Sequence, residues 1–211
     1  MLDRPEAIEA LQFNVDLRNL YHVSPSLMEG TEGGLDKNQA FKMGRLAMLM
    51  GATWDLPSFR KEIKDFAWDV VTPPRGRQRA AWASSSGIAV FARTPHPREA
   101  TMLLQELVSP DYQFQICRLA GCFPTHKATA RRWANEPPPP ENREAFLKMV
   151  PYLNPNPRVF ALHEILHVFD RAVERALLGR ATPEAALKEA AKQINGILER
   201  QRRKQGKGRY G

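Results

Sequence analysis

Cysteine is nearly absent from this sequence, and the scarcity closes several routes at once. The 211 residues hold two, Cys117 and Cys122. Two thiols cannot build a metal cage by themselves, and they do not form the pattern of a disulfide-stapled scaffold. Long apolar runs are absent as well; none approaches the roughly 20 residues of a membrane-spanning helix. The opening Met1-Leu2-Asp3-Arg4-Pro5-Glu6 has no basic start leading into an apolar stretch, so no export signal is expected in it. Internal repeats and long low-complexity segments are missing too. The run Ser84-Ser85-Ser86-Gly87 has neither a G-x-S-x-G elbow nor a Walker lysine, which removes support for a serine nucleophile or a P-loop.

What remains is ordinary for a globular chain: 43% apolar and 26% charged residues. The length suits one large domain or two small ones, either able to bury a core. The net charge of +8 comes from 31 basic and 23 acidic residues. Much of it is local, since Arg200, Arg202, Arg203, Lys204, Lys207 and Arg209 follow one another with no acid between. Such a run could meet phosphates or an anionic membrane. No aromatic or glycine-rich nucleic-acid module accompanies it, so it reads as a frayed, solvated terminus with no nucleic-acid partner.

Pro5 to Tyr21 reads as a helix with Ile8, Leu11 and Val15 on one face. Ser26 to Leu35 reads as a loop, and Asp36 caps a short helix ending at Gly44. Leu46 to Met50, a continuous apolar run, is expected to be a strand buried on both faces. Leu56 to Lys64 should be helical, and Ala67 to Val71 a second strand of the same sheet, stopped by Pro73-Pro74. Ala80 to Phe91 reads as a strand interrupted by its serine patch. From Pro97 the pattern turns helical: Ala100, Leu103, Leu104 and Leu107 make one stripe, and Ser109-Pro110 starts a further helix through Leu119. Pro137 to Pro140 reads as a stiff polyproline II linker. Helices are then expected over Asn142–Val150, Arg158–Leu178 and Pro183 to about Arg203, the last capped by Thr182. Few strands and many helices make an α/β or α+β chain with a helical C-terminal half.

Two local patterns carry candidate chemistry. Gly44 permits a tight reversal, after which the apolar run leads to Gly51 and Trp54, placed where α/β proteins bind ligands beyond strand ends. A flat indole there can stack on a sugar, or it can be a core residue at a loop. His163-Glu164-Ile165-Leu166-His167 matches H-E-x-x-H on a helix, two imidazoles on one face with a glutamate as general base. Glu184 or Glu189 would have to complete that zinc site. The same helix carries a regular stripe of Val159, Leu162, Leu166, Phe169 and Val173 with both histidines beside it, the look of a packed helix with a polar border. No zinc or other cofactor is expected, and a zinc-dependent hydrolase is the alternative function. Gly121-Cys122-Phe123-Pro124 is a glycine helix stop followed by a rigid loop.

Taken in order, these blocks resemble the extracellular solute-binding proteins of ABC transporters, of the maltose-binding and glycerol-phosphate-binding type. The residues that carry the resemblance are Glu6–Leu11 with Val15–Leu17, Phe41–Trp54 and Trp68–Pro74. Ser85–Val90, Pro97–Ala100, Gly121–Pro124 and Gly179–Leu187 with Ile194, Asn195, Ile197 and Leu198 continue the series. The resemblance implies an α/β fold, the helix-rich C-terminal half of a type II periplasmic-binding-protein fold with the N-terminal lobe missing. It implies a first part of the C-terminal lobe over 1–82, a segment crossing toward the absent lobe over 83–127, and C-terminal-lobe helices with the basic tail over 128–211.

The same resemblance implies a non-enzymatic receptor for a small polar solute, a sugar or polyol, in the periplasm or attached to the outer face of a membrane. Trp54 and Asp55 would meet the ligand, with Ser84, Ser85 and Ser86 and the Gly121–Cys122 loop lining the cleft. His163 and His167 would be polar contacts, since Leu166 stands where the family often has an aromatic. The implied partners are the membrane permease subunits, an N-terminal half if separately encoded, and further copies of the chain through exposed apolar helix faces.

Overall fold

Helical periodicity builds most of the chain in the computed structural model, which describes residues 2–25 and 36–207. The Ser26–Leu35 loop and Arg209 lie outside the described residues. Two compact units emerge, one made of residues 1–36 and 157–211, the other of the single stretch 37–156.

The described residues of the first unit form three helices. α1 (Pro5–Asn19) starts on a proline, whose missing N–H would have no partner in a first turn anyway. α8 (Leu162–Leu177) and α9 (Pro183–Lys207) form a hairpin. Gly179, at φ +69°, ends α8 by a left-handed reversal, and Arg180 N–H returns to the Arg175 carbonyl at 2.9 Å. Thr182 Oγ1 then accepts the Ala185 N–H at 3.2 Å, capping α9 as its sequence predicts. The core is small-residue rich: Ala172 and Ala176 of α8 are buried in one cluster with Ala186 and Ala190 of α9, among Leu11, Val168, Leu187, Ile194 and Ile197. Alanines let two helix backbones approach closely, and the branched residues fill the remaining space. Arg175–Glu189 at 2.7 Å and Arg200–Glu164 at 3.2 Å bridge the exposed faces of the hairpin. Arg175 thereby holds the Glu189 carboxyl below its usual range. The basic run expected to fray is helical through Lys207 instead, because α9 continues past Arg203.

The second unit runs through short elements. They are α2 (Lys37–Lys42), a 3-10 turn (Thr53–Asp55), α3 (Leu56–Glu62), β1 (Ala81–Ala83), α4 (Pro97–Leu107) and α5 (Pro110–Ala120). α6 (Lys127–Ala134), α7 (Glu144–Met149), a second 3-10 turn (Val150–Tyr152) and β2 (Leu153–Pro155) complete it. Its core holds Leu56, Phe114, Cys117 and Trp133, with Trp68, Val70, Phe123 and Phe146 packed around them. Trp133 is the hub, edge-on to Phe123 at 5.5 Å and to Phe146 at 5.8 Å. The buried Arg143 guanidinium sits 5.3 Å from the Trp133 ring and donates to the Trp133 carbonyl at 3.2 Å. Burial, reinforced by the neighbouring Arg60 charge, lowers the pKa of Arg143. α6, which supplies Trp133, has no counterpart among the expected helices.

The strand expectations need correction. Leu46–Met50 is extended but unpaired, and Met48 is 87% exposed rather than buried. Ala67–Val71 makes no ladder either. There Asn142 stands in for a neighbouring strand, donating through Nδ2 to the Val70 carbonyl at 3.0 Å and through its backbone N–H to Asp69 Oδ1 at 2.9 Å. Of Ala80–Phe91 only Ala81–Ala83 pairs, in parallel with β2, Trp82 opposite Asn154. Among the described residues this is the one ladder, so the other apolar stretches have no strand to bond. Pro137–Pro140 is not polyproline II: the bonds before Pro139 and Pro140 are cis, Pro140 is fully buried, and the Pro137 carbonyl accepts from Arg60 at 3.0 Å.

Candidate functional site

The 3-10 turn Thr53–Asp55 is held by its own last residue. Asp55 is buried; its Oδ2 accepts the Ala52 N–H at 2.8 Å and its Oδ1 accepts Asn38 Nδ2 at 2.9 Å. Both carboxylate oxygens therefore serve the turn, and Asp55 positions its neighbour rather than facing outward. That neighbour, Trp54, is 58% exposed. The indole faces outward and is not a core residue, although no strand end precedes it.

Gly121 seats the turn from behind. It closes α5 at φ +71°, and a methyl group there would lie 2.6 Å from the Thr53 carbonyl oxygen and 2.7 Å from Trp54 Cα. Only a residue without a side chain allows the loop and the turn to meet so closely. The neighbouring Cys122 is exposed, whereas Cys117 is buried in the last turn of α5. Burial, with a hydrogen bond to Cys122, pushes the Cys117 thiol up to about 12. Alkylation of the folded protein at mildly alkaline pH should thus label Cys122 alone, with Cys117 reacting only after denaturation. Peptide mass mapping gives the answer, and equal labelling of both in the folded state would refute the assignment.

A residue absent from the sequence-based set completes the arrangement. Trp82, 54% exposed on β1, meets Trp54 edge to face, with ring centroids 6.1 Å apart and planes at 76°. Its Nε1–H donates to Asn156 Oδ1 at 2.9 Å. Ser84, Ser85 and Ser86 follow β1 directly and are exposed. The second unit thus gathers Trp54, Asp55, Gly121 and Cys122 at one turn and adds Trp82 and Asn156, with the serines next in sequence. Trp82 escaped because a strand reading treats it as one more apolar position. The available signal was the Ala81-Trp82-Ala83 alternation, which sends a lone indole to the face opposite two alanines.

His163 and His167 lie on α8 in the other unit, both exposed. Glu164, the general base of a zinc reading, is instead paired with Arg200. Among the described residues no group of three or more His, Cys, Asp or Glu side chains could hold a metal. Protein purified without chelator should carry no stoichiometric zinc. One tightly held equivalent, lost in His167→Ala, would reverse that expectation. No helix among the described residues is long and apolar enough to cross a membrane.

Comparison with known proteins identifies the family. The family of bacterial extracellular solute-binding proteins matches residues 3–158. A curated binding protein of Brucella abortus is 23% identical over 169 residues, covering 78% of this chain and 40% of that protein. Among solved structures, an ABC substrate-binding protein of Listeria monocytogenes in complex with cycloalternan superposes with a TM-score of 0.82 at 25% identity, covering 94% of this chain and 51% of that one. A Thermotoga lettingae solute-binding protein bound to α-D-tagatose gives 0.76 at 26%, covering 93% and 50%. A maltose-bound protein of T. maritima gives 0.68 at 27%, covering 94% and 52%. The chain spans about half the length of these structures, and it has the helix-rich α/β architecture of that half. These relatives are binding proteins by description, the Listeria, Thermotoga lettingae and T. maritima ones with a bound sugar. With the matched region covering most of its length, the chain belongs to the bacterial extracellular solute-binding protein family.

Proposed function

We propose that this chain supplies one half of the receptor of an ABC-type importer, binding a small carbohydrate that it presents to membrane permease subunits. The observation that carries the reading is the outward Trp54 indole on a turn fixed by Asp55 and Gly121. A rigid flat aromatic matches the apolar C–H face of a sugar ring, and the exposed hydroxyls of Ser84, Ser85 and Ser86 match its polar rim. The Gly121–Cys122 loop would add polar contacts from the cleft wall. Sugars bound to the Listeria and Thermotoga relatives support the ligand class.

Closure works by differential binding: a ligand that touches both lobes favours the closed state by the contacts only that state makes. The remaining half of the fold is then a required partner, and residues 83–127 would be the segment that reaches it. Outside the cytoplasm, as in the family, such a receptor delivers its cargo to the permease. The chain alone should bind sugar only weakly.

Ligand-observed saturation-transfer NMR detects such weak binding. Maltose, α-D-tagatose and maltotriose should include at least one ligand whose signal disappears in Trp54→Ala. Silence from every sugar, or a signal indifferent to Trp54→Ala, would remove the carbohydrate reading.

A further inference from the structure

We infer that Trp54 and Trp82 form a two-walled seat for a ring-form sugar, in which Trp82 supplies the second wall and selects rings over open-chain polyols. The inference rests on the carbohydrate reading above and extends it to a residue and a ligand shape.

Two tryptophans side by side, each more than half in water, are an unusual use of the largest apolar side chains. Their planes meet at 76°, so together they outline a corner rather than a flat patch. Different devices fix each wall. Trp54 is held through the Asp55 hydrogen bonds and the close approach of Gly121. Trp82 is held through the β1–β2 ladder, opposite Asn154, and through its indole N–H on Asn156. The backbone under each ring does not have to be ordered when a ligand arrives, which removes part of the entropic cost of binding.

The hydrogen bond to Asn156 also decides what Trp82 can offer. Its one donor is already used, so what remains is an apolar face with the negative potential of a π system. Sugar rings match a corner of this kind. The C–H groups of one ring face lie against one indole while the C–H edge of the same or the next ring lies against the other, and the hydroxyls point away toward Ser84–Ser86. An open-chain polyol has no rigid face, and would have to freeze its rotatable bonds to touch both walls.

The test uses the full chain, with maltotriose as the ring probe and mannitol as the open-chain probe, in saturation-transfer NMR. The short-wavelength circular dichroism couplet of two coupled indoles reports the pair without any ligand. It should be present in the unaltered chain and vanish equally in Trp54→Ala and Trp82→Ala. Maltotriose affinity should fall about tenfold in Trp82→Ala, the equivalent of one lost aromatic contact. It should fall less in Trp82→Phe, and severalfold in Asn156→Ala, where the indole is freed. Mannitol should give no signal.

If maltotriose binding survives Trp82→Ala but is lost in Trp54→Ala, the corner is wrong and the carbohydrate reading stands. If maltotriose does not bind the unaltered chain, the corner falls, and silence from the other sugars takes the carbohydrate reading with it. Mannitol binding equal to maltotriose overturns the selection for rings. Should Trp82→Ala fail to fold, Trp82→Phe and Asn156→Ala decide, and unaltered affinity in both overturns the proposal.

Discussion

Gly121→Ala should be among the most damaging single-methyl additions in this chain. Two costs combine at that position. The backbone is left-handed, at φ +71°, which for a residue with a Cβ costs about 1–2 kcal/mol. The added carbon would also stand 2.6 Å from the Thr53 carbonyl oxygen and 2.9 Å from Pro57 Cδ, and forcing apart atoms of a packed turn costs roughly another 1–3 kcal/mol. A combined loss of about 2–5 kcal/mol corresponds to a melting temperature lowered by roughly 5–15 °C for a chain of this size.

Gly179→Ala is the matched control. Gly179 has nearly the same backbone, φ +69°, but nothing lies within 4 Å of its added carbon. It should show the backbone cost alone. Thermal unfolding of the two variants separates the contributions, and equal shifts would show that the Gly121–Trp54 approach contributes nothing. The Gly121 variant should also disturb the Trp54–Trp82 couplet, because the methyl pushes on the residue that carries Trp54.

The second large effect is association. α4 has no buried residue at all, although Ala100, Leu104 and Leu107 of its expected stripe are partly covered. Met102 and Leu103 on that helix and Ile116 and Leu119 on α5 are exposed, as are Ile88 and Phe91 before them, Phe91 and Leu119 each at 72%. Large apolar side chains left exposed along two successive helices invite association wherever they adjoin. At about 25 cal/mol per Å², covering even a few hundred Å² is worth several kcal/mol before association costs. The occupant we propose is the remaining half of the solute-binding fold, because the chain matches only 51% of the Listeria structure.

Without that half the chain should self-associate at high micromolar concentration in sedimentation. The double variant Leu103→Glu with Leu119→Glu should return it to monomer without lowering its melting temperature, since neither side chain is in a core. A monomeric unaltered chain that binds no hydrophobic dye would defeat the idea.

Local signals and distant ones fared differently in the sequence. Pro5, Thr182–Pro183 and the Gly121 stop mark their helix ends because capping depends on a few adjacent residues. Trp54 was legible for the same reason, set beyond a glycine turn. The α8 stripe was read partly out of register: Val168, Ala172 and Ala176 are the buried positions, and Leu166 is not among them. Weighting by side-chain size favours leucine over alanine, but a close helix pair selects for smallness. Leu46–Met50 and Ala67–Val71 were misread because apolar composition reports a wish for burial and says nothing about the presence of a neighbour. For Trp82 the local alternation gave only the side of the strand; its meeting with Asn156 depended on the parallel pairing of β1 with β2, a contact between stretches far apart in sequence.

The division of the chain has a consequence for its birth on the ribosome. Residues 37–156 are continuous and can collapse as soon as they leave the exit tunnel. α1 is made before that stretch, yet its buried Leu11 belongs to a cluster supplied mainly by α8 and α9. At bacterial elongation rates, about 5–20 residues per second, α1 therefore waits on the order of ten seconds with its apolar face uncovered. A messenger cut between the codons for Asn156 and those for α8 would yield a product whose inner unit is complete and whose α1 has neither partner helix to pack against. Quality-control proteases and chaperones would meet that uncovered helix.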